Sequence, residues 1–138
     1  MLKSLFNLQN IKPLIRWIIG PVKNAGFHSL SLSISNFKRL YGDDFDYLIC
    51  HNQLSELQLN RLLRLQIPLK EQKTEEFKLS PVFWNGEECF DPLHKQKTRN
   101  CWKLHPPRLR LDCHEIILDN DVIIKKRINE IDDFLKGD

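Results

Sequence analysis

Long apolar runs are missing from this chain of 138 residues: no window approaches ~18 uninterrupted apolar residues, so no membrane-spanning helix is expected. A strong charge of one sign is missing too. The formal net charge of +3 is evenly spread and too small to argue for nucleic-acid binding by bulk electrostatics, although it permits small anionic ligands. The four cysteines, Cys50, Cys89, Cys101 and Cys113, include no C-x-x-C pair and no Cys/His ladder of the zinc-finger kind. Cys50-His51 and Cys113-His114 are adjacent pairs, but neighbours on a strand point to opposite faces, so neither can chelate a metal without distortion. Cys50 and Cys113 are expected to pack as small apolar residues, which fits a reducing cytosol. No serine sits in a G-x-S-x-G context, which argues against a nucleophile-elbow hydrolase.

What is present reads as one α/β domain. With 41% hydrophobic and 28% charged residues the composition is that of an ordinary globular protein, long enough for a real core. Residues 1–14 form an extension or docking helix. Pro13 and Arg16 interrupt its apolar character and no cleavage site follows, so no signal peptide is expected; peripheral contact with the inner face of a membrane through Leu5, Phe6, Leu8, Ile11 and Leu14 is an alternative. Two βα units fill residues 15–69. The first is a strand over 16–22, a loop over 23–26 and a helix over 29–41 whose Leu30, Ile34 and Phe37 recur at helical spacing. The second is a strand over 45–52 and a helix over 55–65 with a broad apolar face of Leu57, Leu59, Leu62, Leu63 and Leu65, stopped by Pro68. Successive βα units imply parallel strands joined by right-handed crossovers, hence a Rossmann-like, mostly parallel sheet flanked by helices. A short third strand is expected over 67–69. Residues 70–111 form an irregular segment, charged over 70–78, then aromatic and proline-containing.

The stretch that draws chemistry is 114–124, apolar on both parities like a strand buried on both faces, yet interrupted by Asp119 and Asp121. Side chains alternate along a strand, so the two carboxylates point one way, Asn120 points the other, and the pair can converge on a cation such as Mg²⁺ or Mn²⁺. Alternatively the acids mark a turn between two strands. Ahead of this stretch, Pro106 and Pro107 force an extended path, and Arg108 and Arg110 share a parity that lets both guanidinium groups approach phosphate oxygens. A closing helix over 125–136 carries Ile128, Ile131, Phe134 and Leu135 as its apolar stripe, and Gly137 ends it.

This order of parts, with Asp119-Asn120-Asp121 at the end of a strand reached after two βα units, resembles the nucleotide-diphospho-sugar transferases of GT-A fold and their D-x-D motif. The resemblance implies a glycosyltransferase donor site. Asp121 would be the direct ligand of Mn²⁺ or Mg²⁺, and Asp119 would bind the ribose or reach the metal through water. The first βα loop, with Pro21, Val22, Lys23 and Asn24, would lie against the nucleotide. The partners implied are a nucleotide-sugar donor and an unidentified hydroxyl acceptor, with no nucleic acid. Members of the family continue well past D-x-D, so the chain resembles the donor-binding half alone, completed by a second half or a homo-oligomer. The competing expectations are an α/β interaction domain without chemistry, and a two-metal phosphoryl-transfer fold. The latter requires Asp44, Asp46 or Glu115 beside the pair.

Overall fold

The computed structural model describes residues 11–72, 90–91, 96–97 and 108–137. The sequence Leu-Ile-Arg-Trp-Ile-Ile, bulky on both parities, forms β1 (Leu14–Ile19), every residue of which is buried. It is followed by α1 (Asn24–Tyr41), β2 (Asp46–His51), α2 (Glu56–Leu63) and β3 (Leu69–Glu71). Two short strands, β4 (Phe90–Asp91) and β5 (Gln96–Lys97), make an antiparallel pair of their own. The chain then supplies β6 (Glu115–Asp119) and α3 (Asn129–Lys136). β3, β2, β1 and β6 lie side by side in that order, all parallel, which makes the architecture a small Rossmann-like α/β fold. No described helix is long and apolar enough to cross a membrane.

The two faces of the sheet differ. Ile15, Trp17, Ile19 and Ile49 share one cluster with Phe27, Leu30, Ile34, Phe37 and Tyr41 of α1, which recur at intervals of three and four and so line one side of the helix. Leu62 of α2 and the half-buried Ile128, Ile131, Phe134 and Leu135 around α3 join that core. Trp17 is its centre: Phe37 meets the indole edge-to-face and Tyr47 stacks on it, each with centroids 5.9 Å away. The opposite face carries Leu14, Arg16 and Ile18, with Cys50 and Leu48 beside Ile18 and Leu109 packed against them.

Several boundaries differ from those the sequence suggests. β1 begins two residues earlier and ends before Gly20, and α1 begins at Asn24, so that Asn24, Ala25 and Gly26 are its first turn and not a loop. Gly26 misleads because it reads as punctuation. It is needed for closeness: a Cβ there would lie 2.7 Å from the Cβ and Cγ2 of Val22. α2 is shorter, capped by Ser55, which accepts from the Gln58 N–H while the Gln58 side chain accepts from the Ser55 N–H. Of its expected apolar face Leu62 is buried and Leu65, just past the helix, packs half-buried on the same core, whereas Leu57 and Leu63 are 69% and 58% exposed. Among the described strands β6 lies at the edge of the sheet, and it is half-exposed where burial on both faces was expected, with Ile117 40% exposed. α3 starts four residues late because residues 122–128 pass along α1 without regular structure. There Arg39 Nη2 donates to the Lys125 carbonyl (3.5 Å), Arg127 Nη1 donates to the Leu40 carbonyl (2.8 Å) and the Ile128 N–H donates to Tyr41 Oη (2.8 Å). Leu14, one of the residues proposed for a membrane surface, is buried in β1. Leu5, Phe6 and Leu8 lie outside the described residues, as does most of the aromatic segment.

Arg16 is the exception on β1. Its Nη2 lies 3.1 Å from Glu115 Oε2 on β6, with both side chains almost wholly buried. Glu115 Oε1 accepts the N–H groups of Leu109 (2.7 Å) and Arg110 (2.5 Å), so one carboxylate joins the central strand, the edge strand and the segment leading into it. Removing one member of a buried pair strands the other charge. Glu115→Ala should therefore lower unfolding free energy by about 3–5 kcal/mol in denaturant titrations, whereas Glu115→Gln, which keeps an acceptor for the two N–H groups, should lose less. A loss under about 1 kcal/mol for Glu115→Ala would show the pair to be incidental.

Candidate functional site

β1 leads through α1 to β2 on one side, while its other neighbour is β6, reached only after β3 and the long connection. The chain thus changes direction between β1 and β6. In open α/β sheets ligands lodge in the crevice at the carboxyl ends of the strands at such a switch point. Asp119 ends β6 there, in register with Ile18 of β1, one residue from that strand's end.

The acid pair sits on a turn. The Val122 N–H donates to the Asp119 carbonyl at 3.3 Å, making Asn120 and Asp121 the central residues, so Asp121 lies just past the strand that the sequence suggested would carry it. The alternation nevertheless persists: Asp119 and Asp121 are exposed, and Asn120 between them is buried. Asp119 Oδ1 accepts the Asn120 N–H at 2.9 Å, and Asn120 Nδ2 donates to the Gly26 carbonyl at 3.4 Å. The turn is thereby drawn against the start of α1.

Pro21, Val22, Lys23 and Asn24 occupy the β1–α1 junction beside it. Lys23 takes the cap position without a capping side chain, and no acid lies in the first turn, so the positive end of an 18-residue helix is uncompensated by its own side chains. Helix ends of this kind favour phosphate groups. From the other side, Gln58 Nε2 donates to the Val22 carbonyl (3.1 Å) and Arg61 Nη1 to Asn24 Oδ1 (2.5 Å), so α2 holds the junction in place.

Arg108 and Arg110 are not brought to this crevice. Arg110 Nη1 lies 2.6 Å from Asp46 Oδ2, and Asp46 is the first residue of β2, in register with Leu14. Arg108 Nη2 donates to the Cys113 carbonyl at 2.6 Å, just ahead of β6. These positions mark the amino ends of the strands, ~13 Å from Asp119 at ~3.3 Å per residue along β6. Parity along an extended segment was the signal used for the arginines, and it carries no information on which end of the sheet the segment crosses.

The other carboxylates are also remote from the pair. Glu115 opens β6, Asp46 pairs with Arg110, and Asp44, just ahead of β2, lies 3.5 Å from Arg127. Among the described residues no group of three His, Cys, Asp or Glu could hold a metal ion. A two-metal centre therefore lacks its bridging carboxylates among these residues. Two exposed carboxylates on one tight turn do fit a single hard cation, which takes one or two protein carboxylates and completes its shell with phosphates and water. Residues that pattern reading passed over include Asn120, treated only as a spacer, and Ser33, whose hydroxyl donates to the Val122 carbonyl.

At the carboxyl end of β2, His51 and Asn52 are buried. The Asn52 N–H donates to the Ile19 carbonyl at 3.3 Å, and the Gln72 N–H to the His51 carbonyl at 2.8 Å. Burial pulls the His51 imidazole below its ordinary pKa of 6.5, with Glu71 opposing, and burial pushes the Cys50 thiol up, against the opposing field of Arg16. A base with a depressed folded pKa takes its proton more readily once unfolded. The His51 contribution to stability is therefore intact above about pH 6.5 and lost as the pH falls through the folded value. In an NMR titration, the imidazole assigned by its loss in His51→Gln should show a midpoint below 6.5; one at or above 6.5 would contradict the buried environment. Comparison with protein-family models, characterised proteins and solved structures finds no match to this chain.

Proposed function

We propose that the crevice between β1 and β6 binds the diphosphate of a nucleotide-sugar through a divalent cation held by Asp121 and Asp119, as in the donor-binding half of a GT-A glycosyltransferase. The observation that carries this reading is one of position. The acid pair stands at the carboxyl end of the strand beside β1, at the point where the strand order reverses, next to the uncompensated positive end of α1. A cation at the acids and the amide groups of the helix end would meet the same diphosphate from two sides. Pro21, Val22 and Lys23 line the approach to it. The bound metal would supply Lewis-acid stabilisation of the departing nucleoside diphosphate. Transfer of the sugar to a hydroxyl acceptor would call on an acceptor-binding half, in this chain or a partner.

A second reading, an α/β interaction domain without chemistry, is favoured by one observation: Asn120 and Asp121 are ordinary residues for the centre of a hydrogen-bonded turn. Ligand-dependent stability separates the two. With a ligand at a hundred times its dissociation constant the donor-site reading predicts about 2.7 kcal/mol of added stability, roughly 10 °C in melting temperature. UDP, GDP and their sugars should produce such a rise only with Mn²⁺ or Mg²⁺, and Asp121→Asn should abolish it. No rise with any nucleotide in a cooperatively melting protein would favour the interaction domain.

A further inference from the structure

His51 and Glu71 are the last residues in register between β2 and β3, and the ladder runs on for one more bond, the Gln72 N–H donating to the His51 carbonyl at 2.8 Å. The next pair in that register is Asn52 and Gln72. Side chains alternate along each strand, so both stand on the face that carries Ile18 and Cys50, away from the face covered by α1. Neighbouring strands are ~4.8 Å apart, which sets the two amides side by side at the carboxyl end of the sheet.

Gln72 is wholly buried, yet among the described residues neither its Nε2 nor its Oε1 has a hydrogen-bond partner. Buried polar atoms in folded proteins are nearly always paired, and one left unpaired costs its full desolvation. Asn52, 5% exposed, brings a second amide to the same place. Two residues before Gln72 and on the same side, Lys70 is exposed, so the pair lies close to solvent along the strand that edges the sheet among those described. The chemistry of the amides narrows what could meet them. A metal ion would engage their carbonyl oxygens and leave the NH₂ groups unmet, and an anion would do the reverse. A ligand that carries an N–H beside a C=O satisfies both.

We propose that Asn52 and Gln72 form a binding site for a small planar ligand with an amide-type edge, an N–H beside a C=O, as carried by lactam-form nucleobases and by carboxamides. The Gln72 amide donates to the ligand carbonyl and accepts from its N–H, the two-bond pattern by which Asn and Gln side chains read base edges. Asn52 meets the adjoining polar atom. The site lies between β2 and β3, on the other side of β1 from β6, and does not depend on a cation at Asp119 and Asp121. In the free protein the unmet amide is a standing cost, which an apolar side chain of the same length would avoid. Stability given up in this way is a common mark of a binding site.

The test titrates uridine, which presents a lactam edge, and nicotinamide, which presents a carboxamide, into the metal-free protein. Calorimetry gives the affinity, and the Gln72 side-chain NH₂ resonances, assigned by their loss in Gln72→Met, give the place. A saturable shift of those resonances with one probe supports the site and names the source of the edge. The dissociation constant should rise about tenfold or more in Asn52→Ala, the effect of losing about one hydrogen bond, and binding should vanish in Gln72→Met. Without ligand, Gln72→Met should melt at or above the wild-type temperature, because no partner is lost and a polar group leaves the interior. A Gln72→Met variant that melts lower, or does not fold, would show that the amide has a structural partner such as an ordered water, and would overturn the proposal. So would the absence of a saturable shift with both probes, or equal binding by wild type and Gln72→Met.

Discussion

The ion pair between Arg16 and Glu115 is the constraint on which the arrangement of the sheet turns. β1 needs two neighbours to be a central strand, and β2 is supplied at once by a local βα unit, whereas β6 arrives only after a long stretch of sequence. Apolar packing alone specifies such a late pairing weakly, because Ile116, Ile117 and Leu118 would also fill the groove after a slip. A charge buried on β1 does not permit a slip. Moving β6 by one residue would turn Glu115 to the helix-covered face and leave the Arg16 guanidinium without that carboxylate. The same register places Asp119 opposite Ile18, at the carboxyl end of the sheet. An interaction at the amino end of β6 thus fixes where the acids stand at its carboxyl end.

Much of the fold was legible because it is local. The 3.6-residue recurrence of Leu30, Ile34 and Phe37, the Ser55 cap and the all-apolar β1 each follow from interactions within a few residues, and strand and helix types came out correctly in both βα units. Boundaries failed where tertiary contacts override local preference. Gly26 reads as a loop residue until Val22 is seen against it. Residues 125–128 read as helix until Arg39 and Tyr41 are seen satisfying the backbone there, and Arg127 the Leu40 carbonyl of α1, in another conformation. The expected burial of β6 on both faces failed for a related reason: isoleucine-rich strands suit a central position, and nothing in the strand itself announces that its far side has no neighbour among the described strands.

The candidate site was legible in part. The spacing of Asp119 and Asp121 showed that the two carboxylates could share a side, and their exposure on either side of the buried Asn120 agrees with that geometry even though a turn has replaced the strand. The arginines were drawn towards the phosphates by their charge and parity alone, and the sheet separates them from the acids by its full height. Ser33 was invisible for a different reason. A single serine in an amphipathic helix carries no pattern, and its importance arises from what two distant segments bring to it.

α1 is touched by the chain on both its flanks in sequence, by β1 and β2 immediately and by residues 120–128 much later, through bonds spanning 86 to 94 positions. Contacts so distant along the chain carry a large loop-closure cost before they contribute anything. The Trp17 indole and the Ser33 hydroxyl both belong to the first βα unit, whereas the Val122 carbonyl that Ser33 meets lies 89 positions further on. On that ordering the acidic turn can be set against α1 only after the first βα units have been made.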